Sequence, residues 1–572
     1  MKFRFGLILA MVLMTLLLSM IAGCEEKKVT DGKVATPDNG NGAESLRAQE
    51  ALALFDRGFR MAREGNLEKA LEEFNKAIQI NPNNPEGYFN RGRTYLELGR
   101  YDEALADLNN SIQQDETNRE AYNNRGIVYY YLRKFDKAIE DFNRAILLDP
   151  DLAYANAYFN RGNVLLETGK PEKALEDYNL ALKYNPNDVS SYLNRGRTQV
   201  RLGRFEVAMA DFAKAAELVP DDFRPPFNVG VARYQMREFK PALEAFEEAL
   251  KRNPANAAAH NNLGLAHYMM GQYKEAVAAY NKAVEIDPKM AMAFNNRGVV
   301  HKQMGKLQQA VADYNQAIEL DPVFAEAYNS RGAAYRTMEK LDQAMTDLNR
   351  AVELDPKSSL SRFNRGVVNH LQARYQEALG DYSKAIELNP NFGLAYLNRG
   401  YTLKTMGEPA QAIKDYDKAL RLMPSAPYVY FSRGNAHMEL KEYRKAIGDF
   451  DQTLSMDPRF ALAFNNRGLA YAALNEFDKA VADFSKAIEI DNQSAYFYNN
   501  RALAYSQQNN HQRAVSDLER AIYLDPRQGG AYMNRAKSFK ALGKKPEMCQ
   551  DLKKACEMSV EKACDQVSAS GC

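Results

Sequence analysis

The feature that most constrains this chain is a clock of 34 residues. The triplet Asn-Arg-Gly stands complete at Asn90-Arg91-Gly92, and its glycine slot returns at Gly126, Gly162, Gly196, Gly230, Gly264, Gly298, Gly332, Gly366, Gly400, Gly434 and Gly468. Gly58 opens the series, and Ala502 and Ala536 continue it. Every step is 34 residues except the 36 from Gly126 to Gly162. A fixed period of this size marks a stacked repeat array.

Other slots keep the same time. An alanine follows the glycine by twelve residues (Ala70, Ala104, Ala138, Ala174), a second small residue by nineteen (Ala77, Ser111, Ala145), and a proline by twenty-four (Pro82, Pro150, Pro186). An aromatic usually precedes the glycine by four, as at Tyr88, Tyr122 and Tyr158. Tyr88, Gly92 and Tyr95 share one face of a first helix, and Ala104, Leu108 and Ser111 one face of a second. The small slots let the two helices approach closely. Gly99-Arg100 supplies the turn between them. The Asp-Pro or Asn-Pro pair ends the second helix, because the residue before proline is pushed out of the α region.

The pattern resembles the tetratricopeptide repeat. That resemblance implies an all-α, right-handed α-solenoid superhelix of about fifteen helix-turn-helix repeats. Repeats are expected to begin near residues 51, 85, 119, 155, 189, 223, 257, 291, 325, 359, 393, 427, 461, 495 and 529, within a solenoid spanning 44–562. The chain departs from the family at two slots. Tyr, Phe and other residues fill the usual Trp slot, and the residue before the glycine is Arg in thirteen of fifteen repeats instead of Leu. A length of 572 residues would ordinarily suggest several domains. The period points instead to one array whose core grows with each repeat.

The arginine column has a partner inside the same sequence. Sixteen residues after each arginine stands an acid: Asp107 after Arg91, Asp141 after Arg125, Asp313 after Arg297, Asp347 after Arg331. Only Val229 and Leu263 replace the arginine, and those same repeats carry Ala245 and Ala279 in the acid slot. Joint loss argues for an ion pair between the two helices of each repeat. The competing reading, a phosphate-binding arginine ladder, leaves the acids unexplained.

The asparagine column survives where the ion pair is gone. It holds Asn90, Asn124, Asn160, Asn194, Asn228, Asn262, Asn296, Asn364, Asn398, Asn466, Asn500 and Asn534. By the family resemblance this slot faces a concave groove, where an amide offers donor and acceptor to the backbone of an extended peptide. The alternative is that each Asn bonds the backbone of its neighbouring repeat. One residue earlier the chain alternates Phe or Leu (Phe89, Phe159, Leu193) with Asn (Asn123, Asn261, Asn295), and Tyr234 and Tyr268 lie one turn on. Apolar spots between amides suit an extended polypeptide. Repeats six to eight (223–324) lack two ion pairs, contain Pro225-Pro226 and are Met-rich, which marks them as the plastic segment or partner site, unless they are simple repeat decay.

The N-terminus reads as a targeting segment. Lys2 and Arg4 precede an apolar run from Gly6 to Met20, ending in Ile21-Ala22-Gly23-Cys24. This resembles the bacterial lipobox, which implies that 1–23 is a lipoprotein signal peptide and that Cys24 carries the lipid. An uncleaved anchor helix or a plain secretory leader are the alternatives. Glu25, where Asp would imply inner-membrane retention, points to the periplasmic face of the outer membrane. Residues 24–43 form a polar, Gly-containing tether. Removing the leader leaves 73 basic against 74 acidic residues, so no net field favours nucleic acid.

Catalytic signatures are absent: no nucleophile elbow, P-loop, zinc-protease or dinucleotide fingerprint occurs. His267, His301 and His437 share one first-helix slot, a repeat or more apart, too far to share a metal. No catalytic residue, metal or cofactor is expected. Four thiols close the chain, with 563–572 finishing a cysteine-containing cap. Cys549 and Cys556 lie about 10 Å apart along one helix, too far to bridge. A turn at 558–561 into a short antiparallel helix would pair Cys556 with Cys564 and Cys549 with Cys572. A four-thiolate zinc site is the alternative, though the spacing lacks close Cys pairs. The whole implies a non-enzymatic scaffold tethered by lipid in a bacterial envelope. It would bind extended segments of partner proteins for assembly of a pilus- or secretion-type machine. An accessory module meeting an exported polysaccharide is the alternative.

Overall fold

A computed structural model describes residues 42–149 and 154–572. The leader, Cys24, the tether up to residue 41, and residues 150–153 of the longer loop lie outside the described residues. Among the described residues the chain forms 31 helices, paired helix-turn-helix through about fifteen repeats. They divide into two compact units, one ending at Gln309 and one running from Ala310 to Cys572.

In the first unit the opening helix is Gly42–Arg63, packed on Leu67–Ile80. It begins nine residues ahead of the expected first repeat and takes in the end of the expected tether. The next repeats run Pro85–Glu97 with Tyr101–Gln114, then Arg119–Tyr131 with Phe135–Leu147, and so on through Ala291–Gln303. In the second unit the pattern continues from Ala325–Thr337 with Leu341–Leu354 to Gly529–Ala541 with Lys545–Glu557. A nine-residue helix, Glu561–Ala569, closes it.

The local signals account for these bounds. Second helices stop one residue before the Asp-Pro or Asn-Pro pair; Asn81 already has φ −129° and ψ 87°. Several first helices start on a side-chain cap: Asn84, Asn118, Asp188, Asn256 and Ser358 each accept a backbone N–H of the first turn. Pro171, Pro409 and Pro427 occupy first helical positions, where a missing N–H costs nothing. Pro225-Pro226 shortens its helix, Arg224–Gln235, to 12 residues against 13 in its neighbours. The turn inside each repeat needs one left-handed residue. Gly99 supplies it with φ +72°, but Ala373 does so with φ +59°, at a cost of roughly 1–2 kcal/mol for an L residue.

A column that the sequence reading did not single out fills the core. Sixteen residues after each glycine slot comes a large side chain from the second helix: Phe74, Phe142, Tyr178, Phe212, Phe246 and Tyr280 in the first unit, Tyr382, Tyr416, Phe450 and Phe484 in the second. All are fully buried, and each ring lies on the bare backbone of its own repeat's glycine. The missing Cβ makes room for a ring, and the backbones also approach there as expected: a Cβ on Gly332 or Gly400 would lie 3.2 Å from the carbonyl oxygen of Ala344 or Ala412. The alanine twelve residues after the glycine is buried throughout, which brings the helices together from the other side.

Candidate functional site

The repeated polar residues lie on the first helices and on the inner edge of the second. Arg331 donates from Nε to Asp347 Oδ2 and from Nη2 to Asp347 Oδ1, both at 2.7 Å. Its Nη1 reaches Asn315 Oδ1, on the second helix of the preceding repeat, at 2.7 Å. Arg91 does the same to Asp107 and Asn75, and Arg125 to Asp141 and Asn109. Each guanidinium also lies beside the aromatic three residues earlier, as Arg331 does over Tyr328 at 5.6 Å. The bidentate fork is the geometry at which Arg surpasses Lys. Its bonds to Asp347 push the Arg331 pKa up, while burial pushes the Asp141 carboxyl up against the pull of Arg125.

Arg297 donates Nη1 to Asn281 Oδ1 at 2.8 Å, and Asp313 is buried. Where the pair is lost, apolar packing replaces it: Val229 joins the cluster around Phe212, and Leu263 the cluster around Phe246. The link to the preceding repeat was missed in the sequence. Its signal was a second polar column sixteen residues before each arginine, carrying Asn75, Asn109, Asn179, Asn315 and Asn349.

The asparagine column is engaged with its own stack. Asn160 donates to Asn123 at 3.0 Å, Asn296 to Asn261 at 3.0 Å, Asn364 to Asn329 at 2.9 Å, Asn500 to Asn465 at 2.8 Å and Asn534 to Asn499 at 3.1 Å. In each case the acceptor is the Asn one slot earlier in the preceding repeat. Where that slot holds Phe or Leu, the amide turns elsewhere. Asn90, Asn228 and Asn398 bond the carbonyl four residues back in their own helices, each at 2.9 Å. Asn194 reaches Asn163 at 2.8 Å and Asn466 reaches Asn435 at 2.7 Å. Asn124 and Asn262 are buried, each accepting from the Asn before it. The Phe/Asn alternation thus selects the partner of the next repeat's Asn. The sequence presents the same alternation as apolar spots between amides, suited to an extended polypeptide.

Tyr234 was expected on a binding face and is instead in the core. It is 7 % exposed, with its ring 5.5 Å from that of Phe239. A position six residues beyond the asparagine does not by itself reveal which way a side chain leans once Phe239 of the next helix covers it. Tyr268 is half-buried, its ring 6.0 Å from Tyr273. His267 and His437 point into the intra-repeat turn, bonding Gln272 and Glu442.

At the C-terminus Cys549 is joined to Cys572 and Cys556 to Cys564, with Cα atoms 5.2 Å and 4.8 Å apart. Ser559, with φ +61°, makes the turn between the bridged helices. Among the described residues no helix is long and apolar enough to cross a membrane, and no group of three or more His, Cys, Asp or Glu is placed to hold a metal ion.

Comparison with known proteins bears on the same geometry. A model described as tetratricopeptide repeat matches residues 120–152, 155–188, 325–358, 359–392, 393–425 and 495–528. Further models of that repeat match 230–291 and 431–495, 62–99, 92–133 and 302–339, and 189–222. No curated protein sequence matches the chain. Among solved structures, the crystal structure of the APC/C hetero-tetramer Cut9-Hcn1 is similar in fold. It shares 15% identity over 87% of this chain and 99% of that one, with a TM-score of 0.54. A tetratricopeptide repeat protein from Parabacteroides merdae ATCC 43184 matches at 23% identity over 43% of this chain and 98% of its own, with a TM-score of 0.36.

Proposed function

The chain belongs to the tetratricopeptide repeat family, and from that premise we propose that it is a non-enzymatic scaffold of the bacterial cell envelope. Its first helices hold extended segments of partner proteins, in assembly of a pilus- or secretion-type machine. Repeat arrays of this kind present long binding surfaces. The observation that carries the reading is the mutual use of the repeated polar residues. Arg331 with Asp347 and Asn364 with Asn329 bind each other, so the array offers an ordered surface on which a partner lies without reorganising it.

The envelope part of the proposal rests on the leader and Cys24, supported by the two C-terminal disulfides, which suit an oxidising compartment. Growth with a clickable palmitate analogue tests it: wild type carries the label and Cys24→Ser does not. Unlabelled wild type, recovered with all five cysteines as free thiols, overturns it. Crosslinking from isolated envelopes, followed by identification of the adduct, tests the scaffold. The expected adducts are proteins of one assembly; an array bearing no protein adduct overturns that part.

A further inference from the structure

The methionines of repeats six to eight share a slot that the scaffold reading leaves unused. Met236, Met270 and Met304 each follow the last residue of a first helix, six residues after the glycine. The slot is a joint between repeats. Leu132 holds it in repeat three and packs on the cluster around Ala104 and Leu108 of the repeat before. Met304 packs in the same way on the cluster around Ala276 and Tyr280. Met236 and Met304 are half-buried and Met270 is 38 % exposed, so a small oxidant in water reaches all three.

What a polar group needs in this slot is visible elsewhere in the chain. Gln372 and Gln508 occupy it in the second unit. Each donates from Nε2 to a carboxylate thirty residues earlier, on the second residue of the preceding repeat's second helix: Asp342 at 3.0 Å and Asp478 at 2.7 Å. The polar side chain is thus met from across the joint by a group of complementary chemistry. The same thirty-residue step leads from Met270 to Lys240 and from Met304 to Lys274. Both lysines are exposed second residues of second helices, and neither holds an ion pair among the described residues. From Met236 the step leads to Glu206. From Leu98, Leu132 and Leu202 of the same unit it also leads to acids, Glu68, Asp102 and Glu172.

An ammonium offers little to a thioether, but it offers a strong donor to an oxygen placed on that sulfur. Oxidation to the sulfoxide turns a flexible apolar side chain into a polar one. The sulfoxide oxygen accepts hydrogen bonds and brings no proton of its own. Hydrogen peroxide supplies the two-electron oxidation. The sulfur lone pair takes one peroxide oxygen, the S–O bond forms as the O–O bond breaks, and both peroxide protons leave with the other oxygen as water. We propose that Met270 and Met304 are sulfoxidation sites, at which the sulfoxide oxygen accepts from the ammonium of Lys240 and Lys274 across the joint. The stack on either side of repeat seven then holds while oxidised. At Met236 the same oxygen meets the Glu206 carboxylate, two acceptors with no proton between them, and the joint loosens.

Partial oxidation of the purified full chain with hydrogen peroxide, followed by amide exchange read by peptide mass spectrometry, tests the assignment. Oxidised and unoxidised forms of one peptide separate in mass, and fragmentation locates the oxidised residue, so each methionine reports on its own helix. Peptides carrying oxidised Met270 or Met304 should exchange within about twofold of their unoxidised forms, and the peptide carrying oxidised Met236 roughly tenfold faster than its own. Lys240→Glu and Lys274→Glu copy Glu206. In them, oxidation should speed exchange roughly tenfold in Ala257–Met269 and Ala291–Gln303 respectively, each variant's unoxidised peptide being its reference. Adding Met270→Leu to Lys240→Glu, which copies the Leu132 and Asp102 arrangement, should abolish that rise. A rise of the same size in wild type overturns the proposal, as does no rise in either Lys→Glu variant. So does a chain in which Met236 is converted while Met270 and Met304 stay unoxidised.

Discussion

A β-carbon built on Gly196 would lie 2.5 Å from Cε1 of Phe212, sixteen residues on and across the helical hairpin. No ordinary contact is that short, so one of the two must move. Gly196→Ala gains up to about 1 kcal/mol of helix propensity but overpacks the ring at roughly 1–3 kcal/mol. A net loss of about 1–2 kcal/mol is expected, read as faster amide exchange across that repeat. Gly92 faces Leu108 Cγ and Asp107 Cβ, both at 3.1 Å, and the Ala104 carbonyl oxygen at 3.3 Å, so Gly92→Ala should cost less than Gly196→Ala. The chain contains the compensated solution: Ala502 shares a cluster with Leu518, and Ala536 with Leu552. Adding Phe212→Leu to Gly196→Ala should therefore recover part of the loss.

Arg331→Leu leaves the Asp347 carboxylate, 4 % exposed, without its fork. Removing one partner of such a pair costs about 3–5 kcal/mol, while removing both costs far less. The double change Arg331→Leu with Asp347→Ala copies the Leu263 and Ala279 arrangement and should restore much of the urea midpoint. A double variant no more stable than the single one would show that the pair is not the reason the two columns vanish together.

Asn364 and Asn398 occupy the same slot and should respond differently. Asn364→Ala strips a buried bond from Asn329, leaving its carbonyl unpaired at about 1–3 kcal/mol. Asn398 bonds only its own helix at an exposed site, so Asn398→Ala should stay within about 0.5 kcal/mol of wild type. If both variants keep full stability and both lose peptide binding, the amides act on a ligand and not on the stack.

What the sequence made legible was everything set by period and by local backbone chemistry. Proline ended helices and glycine placed many of the turns, though Ala373 and Asn475 make theirs without it, and most first helices start where the 34-residue clock puts them, at Pro85, Arg119, Ala155 and Val189. The Arg–Asp link was readable because its loss is correlated within one chain. The ring column was not, because Phe212 draws its meaning from Gly196 across a hairpin. The Asn–Asn bonds were not, because Asn364 and Asn329 meet only once two repeats are side by side. Tyr234 misled for the same reason: its neighbour Phe239 belongs to the next helix.

Burial holds the His370 imidazole below its ordinary value of about 6.5. Its Nδ1 lies 2.9 Å from Thr402 Oγ1, between the rings of Tyr375 and Tyr401. The unfolded chain therefore takes up a proton first as pH falls. The stability that goes with the neutral ring is full above pH 6.5 and is lost as pH drops through the lower folded value. His370→Leu, which copies Leu96 and Leu166 in that slot, should flatten the drop in urea midpoint between pH 7.5 and 5.5. An equal drop in variant and wild type would assign the effect to other groups.

The closing helix Glu561–Ala569 has nine residues and buries one of them fully, Ala563. Isolated helices of that length are marginal in water, so its docking depends on the bridges. By chain entropy a bridge of the span from Cys549 to Cys572 is worth roughly 3 kcal/mol. Reduction should raise amide exchange in residues 559–572, then in Lys545–Glu557, whose neighbour it uncovers. Met533 and Phe539 belong to the cluster that this helix covers, so the Gly529–Ala541 helix should respond next. Repeats beyond nearest neighbours should not respond, because stacked repeats contact only those beside them. Reduction that leaves exchange at Phe539 unchanged would show that the terminal repeat holds without its cap.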